Sequence, residues 1–183
     1  MDKQRLVQTA QALVADKKGI LAADESSGTI KRRFDSINVK STEKNRRDYR
    51  EMLFRTAGVA EFISGVILFD ETIRQDGADG TRMVKILSDQ GIIPGIKVDT
   101  GTVPLPEAPD ELVTEGLDGL RNRLKEYEEL GAGFTKWRAV ISISDKTPTS
   151  YGLNTNAHAL ARFAALSQEA GLVPIVEPEV LRD

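Results

Sequence analysis

Five apolar runs, separated by segments of helical periodicity, constrain the fold more than any other feature of this chain. The runs cover residues 19–23, 63–69, 92–98, 134–143 and 173–180. A leading segment over 4–16 places Leu6, Ala10, Leu13 and Val14 at helical spacing, with Lys17, Lys18 and Gly19 as its stop. Further helices are predicted around 42–57, near 80–90, over 116–130 and over an alanine-rich 154–170. In the third of these, Leu117, Leu120, Leu124 and Tyr127 share a face and Gly131 is the cap. Continuous apolar runs alternating with amphipathic helices imply parallel strands covered on both faces. The expectation is an α/β chain of five strands and four connecting helices after a leading helix. No linker or repeat divides it, so residues 1–183 read as one domain. The one long connection, 101–115, carries Pro104, Pro106 and Pro109 and reads as a rigid surface spacer or a lid.

Either an open doubly wound sheet or a βα barrel would satisfy this pattern. The first run leads into Asp24-Glu25-Ser26-Ser27-Gly28-Thr29, which is not the G-x-G-x-x-G of a dinucleotide site. Three later runs carry ionisable residues two apart: Lys97 and Asp99, Lys136 and Arg138, Glu177 and Glu179. A strand sends residues i and i+2 to the same side, so each run aims two charges one way from an otherwise buried element. Burying an unpaired charge costs several kcal/mol or more, so such groups pair with one another or line a polar site. A barrel whose inward face turns polar near its top accommodates them. Such barrels run to about 250 residues, and this sequence ends after its fifth run.

Composition narrows the chemistry. A net charge of -3 gives no electrostatic reason for a nucleic-acid partner. The absence of cysteine excludes disulfides and thiolate metal sites, and a single histidine, His158, argues against a zinc mechanism. The N-terminus lacks a signal-peptide core, and no run reaches the ~20 apolar residues of a membrane span. The expectation is a soluble cytoplasmic protein with no cofactor, no metal and no membrane partner.

Each charged candidate also has a bland reading. Lys97 could snorkel to solvent or simply pair with Asp99. Glu177 and Glu179 could be buried as ion pairs with Lys136 or Arg138. Asp24 could end a capped turn. Arg32-Arg33 and Arg46-Arg47 could lie on solvated helix faces, and His158 reads as a surface residue. Two lysines on successive strands tip the balance toward a site. Crowded cations would depress a lysine's pKa and leave a neutral amine able to attack a carbonyl. Arginines and lysines bind phosphate, and the glutamates could move protons. Carbonyl chemistry on a phosphorylated small molecule follows.

The stretches Gly19-Ile20-Leu21-Ala22-Ala23-Asp24-Glu25-Ser26, Gly65-Val66-Ile67-Leu68-Phe69, Gly95-Ile96-Lys97-Val98-Asp99, Lys136-Trp137-Arg138 and Val173-Pro174-Ile175-Val176-Glu177-Pro178-Glu179 resemble class I fructose-1,6-bisphosphate aldolase, in order and over nearly the whole chain. The resemblance implies a TIM barrel of which about the first five strands are present. It implies metal-free Schiff-base cleavage of fructose 1,6-bisphosphate to two triose phosphates, and a homo-oligomer, commonly a tetramer, for a full-length chain. It gives Asp24 the role of assisting carbon–carbon cleavage. Lys97 and Lys136 become the pocket lysines that contact substrate and tune the nucleophile. Glu177 becomes the general acid/base and Glu179 its neighbour in the charge network. Arg33 and Arg46 match basic positions linked to substrate phosphate, and Arg138 matches a further basic pocket position. Thr29 stands where relatives often carry serine.

The family's Schiff-base lysine lies in a Leu-Leu-Lys-Pro-like stretch on a sixth strand, and residues 1–183 contain no such stretch. The resemblance is thus to the N-terminal half, and inactivity of the isolated chain is expected. Two other readings compete: a non-catalytic half-barrel for binding or assembly, and substitution of Lys97 or Lys136 as nucleophile. Open edges would make an isolated half-barrel sticky or poorly folded.

Overall fold

The computed structural model describes residues 2–181. Elements follow in the order α1 (Lys3–Leu13), β1 (Gly19–Ala23), α2 (Ser27–Asp35), α3 (Glu43–Phe54), α4 (Val59–Phe62), β2 (Ile63–Leu68), α5 (Asp70–Ile73), α6 (Met83–Ser88), β3 (Ile93–Lys97), β4 (Gly101–Leu105), β5 (Ala108–Glu115), α7 (Leu120–Glu129), β6 (Phe134–Ile141), α8 (Ser150–Glu169) and β7 (Val173–Val180). The five predicted runs form one parallel sheet in the order β1-β2-β3-β6-β7. Sequential neighbours joined by helices are what short right-handed crossovers produce.

The segment between the first two strands holds α2, α3 and α4 where one helix was expected. Short polar caps break it up: Ser26 Oγ accepts from Thr29 N–H at 3.4 Å, and Thr42 Oγ1 accepts from Asn45 N–H at 3.2 Å. Helix α7 starts at Leu120, later than the periodicity suggested. Gly116, at φ +127°, turns there against the Thr100 backbone, and a Cβ would stand 3.0 Å from that nitrogen. Helix α8 starts earlier, at Ser150, because Thr149 caps it through Gly152 N–H at 3.0 Å.

The proline-bearing stretch is regular rather than an irregular connection. It is the antiparallel hairpin β4–β5, with Gly101 paired to Glu115 and Val103 to Val113. Pro104 and Pro109 are tolerated because the hairpin belongs to no larger sheet. Thr114 Oγ1 donates to the Arg138 carbonyl at 2.7 Å, and Thr149 N–H donates to Glu111 Oε1 at 2.9 Å. These bonds fasten the hairpin across the ends of β6 and α8.

The main core lies between the sheet and the helices, with Phe54, Leu68, Ile96, Trp137 and Phe163 all buried. Each such side chain stabilises the fold by about 1.5–3 kcal/mol on burial. Burial on both faces holds for the central strands but not for β7, where Val176 and Val180 are 45% and 47% exposed. A strand at the edge of the sheet has a neighbour on one side only, so its outward residues stay in solvent.

Candidate functional site

Strand β6 sorts its side chains by parity. Thr135 and Trp137 face α8: Thr135 Oγ1 meets Ser167 Oγ at 2.9 Å, and Trp137 stacks on Phe163 with centroids 5.5 Å apart. Lys136 and Arg138 therefore leave from the opposite face. Register brings Lys97 of β3 beside Lys136, and Glu177 of β7 beside Arg138. Asp24 follows the last residue of β1. Together they line an open cleft of about 810 Å³ at the carboxyl ends of the parallel strands, where α/β folds bind ligands.

Lys136 is the centre of the cluster. Its Nζ lies 3.2 Å from Asp24 Oδ2 and 3.1 Å from Glu177 Oε1. The side chains of Lys136 and Asp24 are each only 9% exposed, so water screens their attraction weakly. Burial alone would pull this ammonium's pKa down; Asp24 and Glu177 outweigh burial and hold it above the ordinary lysine value. The expectation of a cation-depressed, neutral amine is thus corrected for Lys136. The neighbours that decide its charge are carboxylates, not the other cations.

The remaining charges pair off around this centre. Lys97 contacts the Asp99 carboxylate and also lies 3.3 Å from the Asp99 carbonyl. Arg138 pairs with Glu179, and its backbone N–H reaches Asp99 Oδ2 at 3.3 Å. Glu179, hydrogen-bonded by that guanidinium, is held below the usual carboxylate range. Arg33 pairs with Glu25 at the rim. Of the residues to which the resemblance gave site roles, Arg46 is the one that does not line the cleft. Its Nε donates to Glu71 Oε1 at 2.8 Å, and its Nη1 to the Ser41 carbonyl at 2.7 Å.

Several lining residues escaped the sequence reading. Arg123 reaches in from α7 and donates to the Val98 carbonyl at 3.0 Å. Asp70 accepts from Tyr127 OH at 2.9 Å and pairs with Arg74. The signal for Asp70 was available: it follows the second apolar run much as Asp24 follows the first. Thr100, Gly101 and Thr102 form the wall supplied by the hairpin. The described residues hold no group of three or more metal-ligating side chains, and no described helix is long and apolar enough to cross a membrane.

Comparison with known proteins places this geometry. The model of the glycolytic family "Fructose-bisphosphate aldolase class-I" matches residues 5–183. A probable fructose-bisphosphate aldolase class 1 of Xylella fastidiosa (strain 9a5c) is 58% identical over 183 residues, covering 100% of this chain and 55% of its own. Fructose-bisphosphate aldolase 4, cytosolic, of Arabidopsis thaliana is 52% identical over 178 residues, 97% of this chain and 45% of its own. The solved fructose-bisphosphate aldolase of Plasmodium falciparum, in complex with TRAP and a small-molecule inhibitor, superposes with a TM-score of 0.95 at 51% identity. It covers 97% of this chain, which covers 52% of it. The chain spans about half the length of the curated relatives it matches.

Proposed function

We propose, for a chain that belongs to the class-I fructose-bisphosphate aldolase family, that its cleft binds fructose 1,6-bisphosphate and supplies charged groups for reversible cleavage into dihydroxyacetone phosphate and glyceraldehyde 3-phosphate. The observation that carries this reading is the Lys136 ammonium held between two carboxylates, Asp24 and Glu177, at the mouth of a parallel sheet.

Aldol cleavage removes the proton of the C4 hydroxyl and breaks the C3–C4 bond. The electron pair of that bond passes to C2, and C4 becomes the aldehyde. Asp24 assists this step as the more deeply buried of the two carboxylates at the cationic amine. Lys136, held protonated, stabilises the C4 oxygen as negative charge builds on it. Glu177 moves protons as general acid/base at the same ammonium. Glu179 keeps Arg138 extended toward the cleft. Lys97, Arg33 and Arg138 take the phosphates, with the arginines offering paired N–H donors. Arg46 contributes from behind, through Glu71. The electron sink at C2 is an iminium on a lysine, and the family resemblance puts that lysine on a sixth strand. Homo-oligomeric assembly and a cytoplasmic location complete the proposal, the latter in line with the cytosolic Arabidopsis relative.

Borohydride reduction in the presence of dihydroxyacetone phosphate tests the assignment, using the full-length protein and mass mapping of the adduct. The expected adduct lies outside residues 1–183. An adduct on Lys97 or Lys136 would show that one of them is the nucleophile. No adduct anywhere would remove the Schiff-base mechanism.

A further inference from the structure

Among the described residues, Arg50 is the only buried arginine, and no step above uses it. Helix α3 carries it one turn after Arg46, so both guanidiniums leave the same face. Arg46 stops at Glu71, whereas Arg50 goes deeper. Its Nη2 donates to the Glu25 carbonyl at 2.7 Å, and its Nη1 to Thr72 Oγ1 at 2.7 Å. The guanidinium carbon lies 5.7 Å from the centre of the Phe69 ring. The carboxylates of Glu25 and Glu71 stand 3.8 and 3.7 Å away.

These contacts join the loop after β1 to the short helix α5 after β2, on one side of the cleft. Glu25 follows Asp24 at the end of β1, and Phe69 to Thr72 follow β2. A guanidinium is a rigid planar fork, so two of its N–H groups bound to the β1 loop and to α5 fix the spacing between them. As a stabiliser the arrangement is poor. Arg50 Nε and Glu25 Oε2 are both buried without a hydrogen-bond partner. Incompletely satisfied buried charge is generally outdone by an apolar side chain of the same volume. What arginine supplies here, and methionine would not, is a fixed geometry and a positive charge beneath Asp24.

We infer that Arg50 is a positioning residue: by clamping the Glu25 carbonyl and the Thr72 hydroxyl together, it holds the Asp24 carboxylate within reach of the Lys136 ammonium. Its catalytic consequence rests on the function proposed above; the geometry of Asp24 and Lys136 does not.

Thr72→Val, which removes one acceptor and keeps the shape, and Arg50→Met are the variants to make in the full-length protein. Two readouts are taken: the proton–nitrogen NMR resonance of the Lys136 ammonium, and steady-state cleavage of fructose 1,6-bisphosphate. Both variants should move that resonance and lower kcat by about tenfold, with KM within about twofold of wild type. Arg50→Lys, which keeps the charge and loses the fork, should not restore kcat. If Arg50→Met fails to fold, Thr72→Val decides. An unmoved Lys136 resonance in folded Thr72→Val overturns the inference, as does an unchanged kcat in an active background. A wild-type protein that does not cleave the sugar, while Thr72→Val still moves the resonance, refutes the proposed function and leaves the positioning role standing.

Discussion

The two ends of one sheet face are built on opposite principles. At the amino ends of the strands, the Phe134 ring lies over Gly65 and Gly95, with Leu13 and Ile67 packed beside it. A Cβ at Gly65 would stand 2.6 Å from Leu13 Cδ2 and 3.0 Å from Phe134 Cε1. Two residues further along the same strands, the inward positions are Lys97 and Lys136. One strand thus passes from a dry, close-packed floor to a charged cleft within a single pleat repeat. The floor is apolar because nothing polar could be satisfied there. The mouth can hold charges because every one of them has a partner and the cleft is open to water. Stability should therefore respond to changes at the floor, and chemistry to changes at the mouth.

Lys136→Met is the strongest challenge to that division. It leaves Asp24 and Glu177 without their shared cation, and turnover of the full-length protein should fall about a thousandfold, or about 4 kcal/mol. A variant with near-normal kcat would show that the mouth is an ordinary ion-pair network. Gly95→Ala makes the opposite test. Its Cβ would fall inside the packing envelope of the Phe134 ring, which has no exposed surface and no room to yield. Overpacking of this kind costs about 1–3 kcal/mol. The urea midpoint should drop accordingly, while kcat per folded molecule stays near wild type. A large loss of kcat with an unchanged midpoint would erase the contrast.

The mouth should also affect stability at one extreme of pH. The Lys136 pKa is raised above its ordinary value of 10.5. A group whose folded pKa is raised contributes stability that is complete below the unfolded pKa and disappears as pH rises through the folded one. Urea midpoints should thus fall above about pH 10.5, and fall less in Lys136→Met. Equal alkaline losses in the two proteins would mean that another group is responsible.

The strand framework was legible in the sequence because strands covered on both faces read as near-continuous apolar runs, here 5 to 10 residues long, set between segments of helical periodicity. The charge pairs were legible for the complementary reason, since strand parity alone sends Lys136 with Arg138 and Glu177 with Glu179 to one side. Partner choice was legible in part: Lys97 with Asp99, and the two glutamates with Lys136 or Arg138, were readable as ion pairs, and the structure forms them. What the sequence could not show is that Asp24, over a hundred residues earlier in the chain, reaches the Lys136 ammonium. The hairpin was hidden by its prolines, which argue against a strand unless the strand has a free edge. Arg50 was hidden by its helix: Arg46 and Arg50 one turn apart look like a solvated face, and nothing local says that α3 turns that face toward Glu71 and Thr72.

The smallest effect is expected at the rim, where floor and mouth arguments both weaken. The Arg33 side chain is 59% exposed and pairs with Glu25. The arginine end of the pair is in water and Arg50 stays 3.8 Å from the buried Glu25 carboxylate, so Arg33→Ala should lower stability by no more than about 1 kcal/mol, read as a small fall in the urea midpoint. Phosphate is a different partner. It accepts paired, charge-assisted hydrogen bonds from a guanidinium, and Arg33 is the arginine that lines the cleft on the α2 side. If one substrate phosphate docks there, KM for fructose 1,6-bisphosphate should rise by about tenfold with little change in kcat, the signature of binding energy shared equally by ground and transition states. A KM that stays put would move the phosphate to the opposite wall, where Lys97 and Arg138 stand, and would leave Arg33 as a tether for Glu25 above the Arg50 clamp.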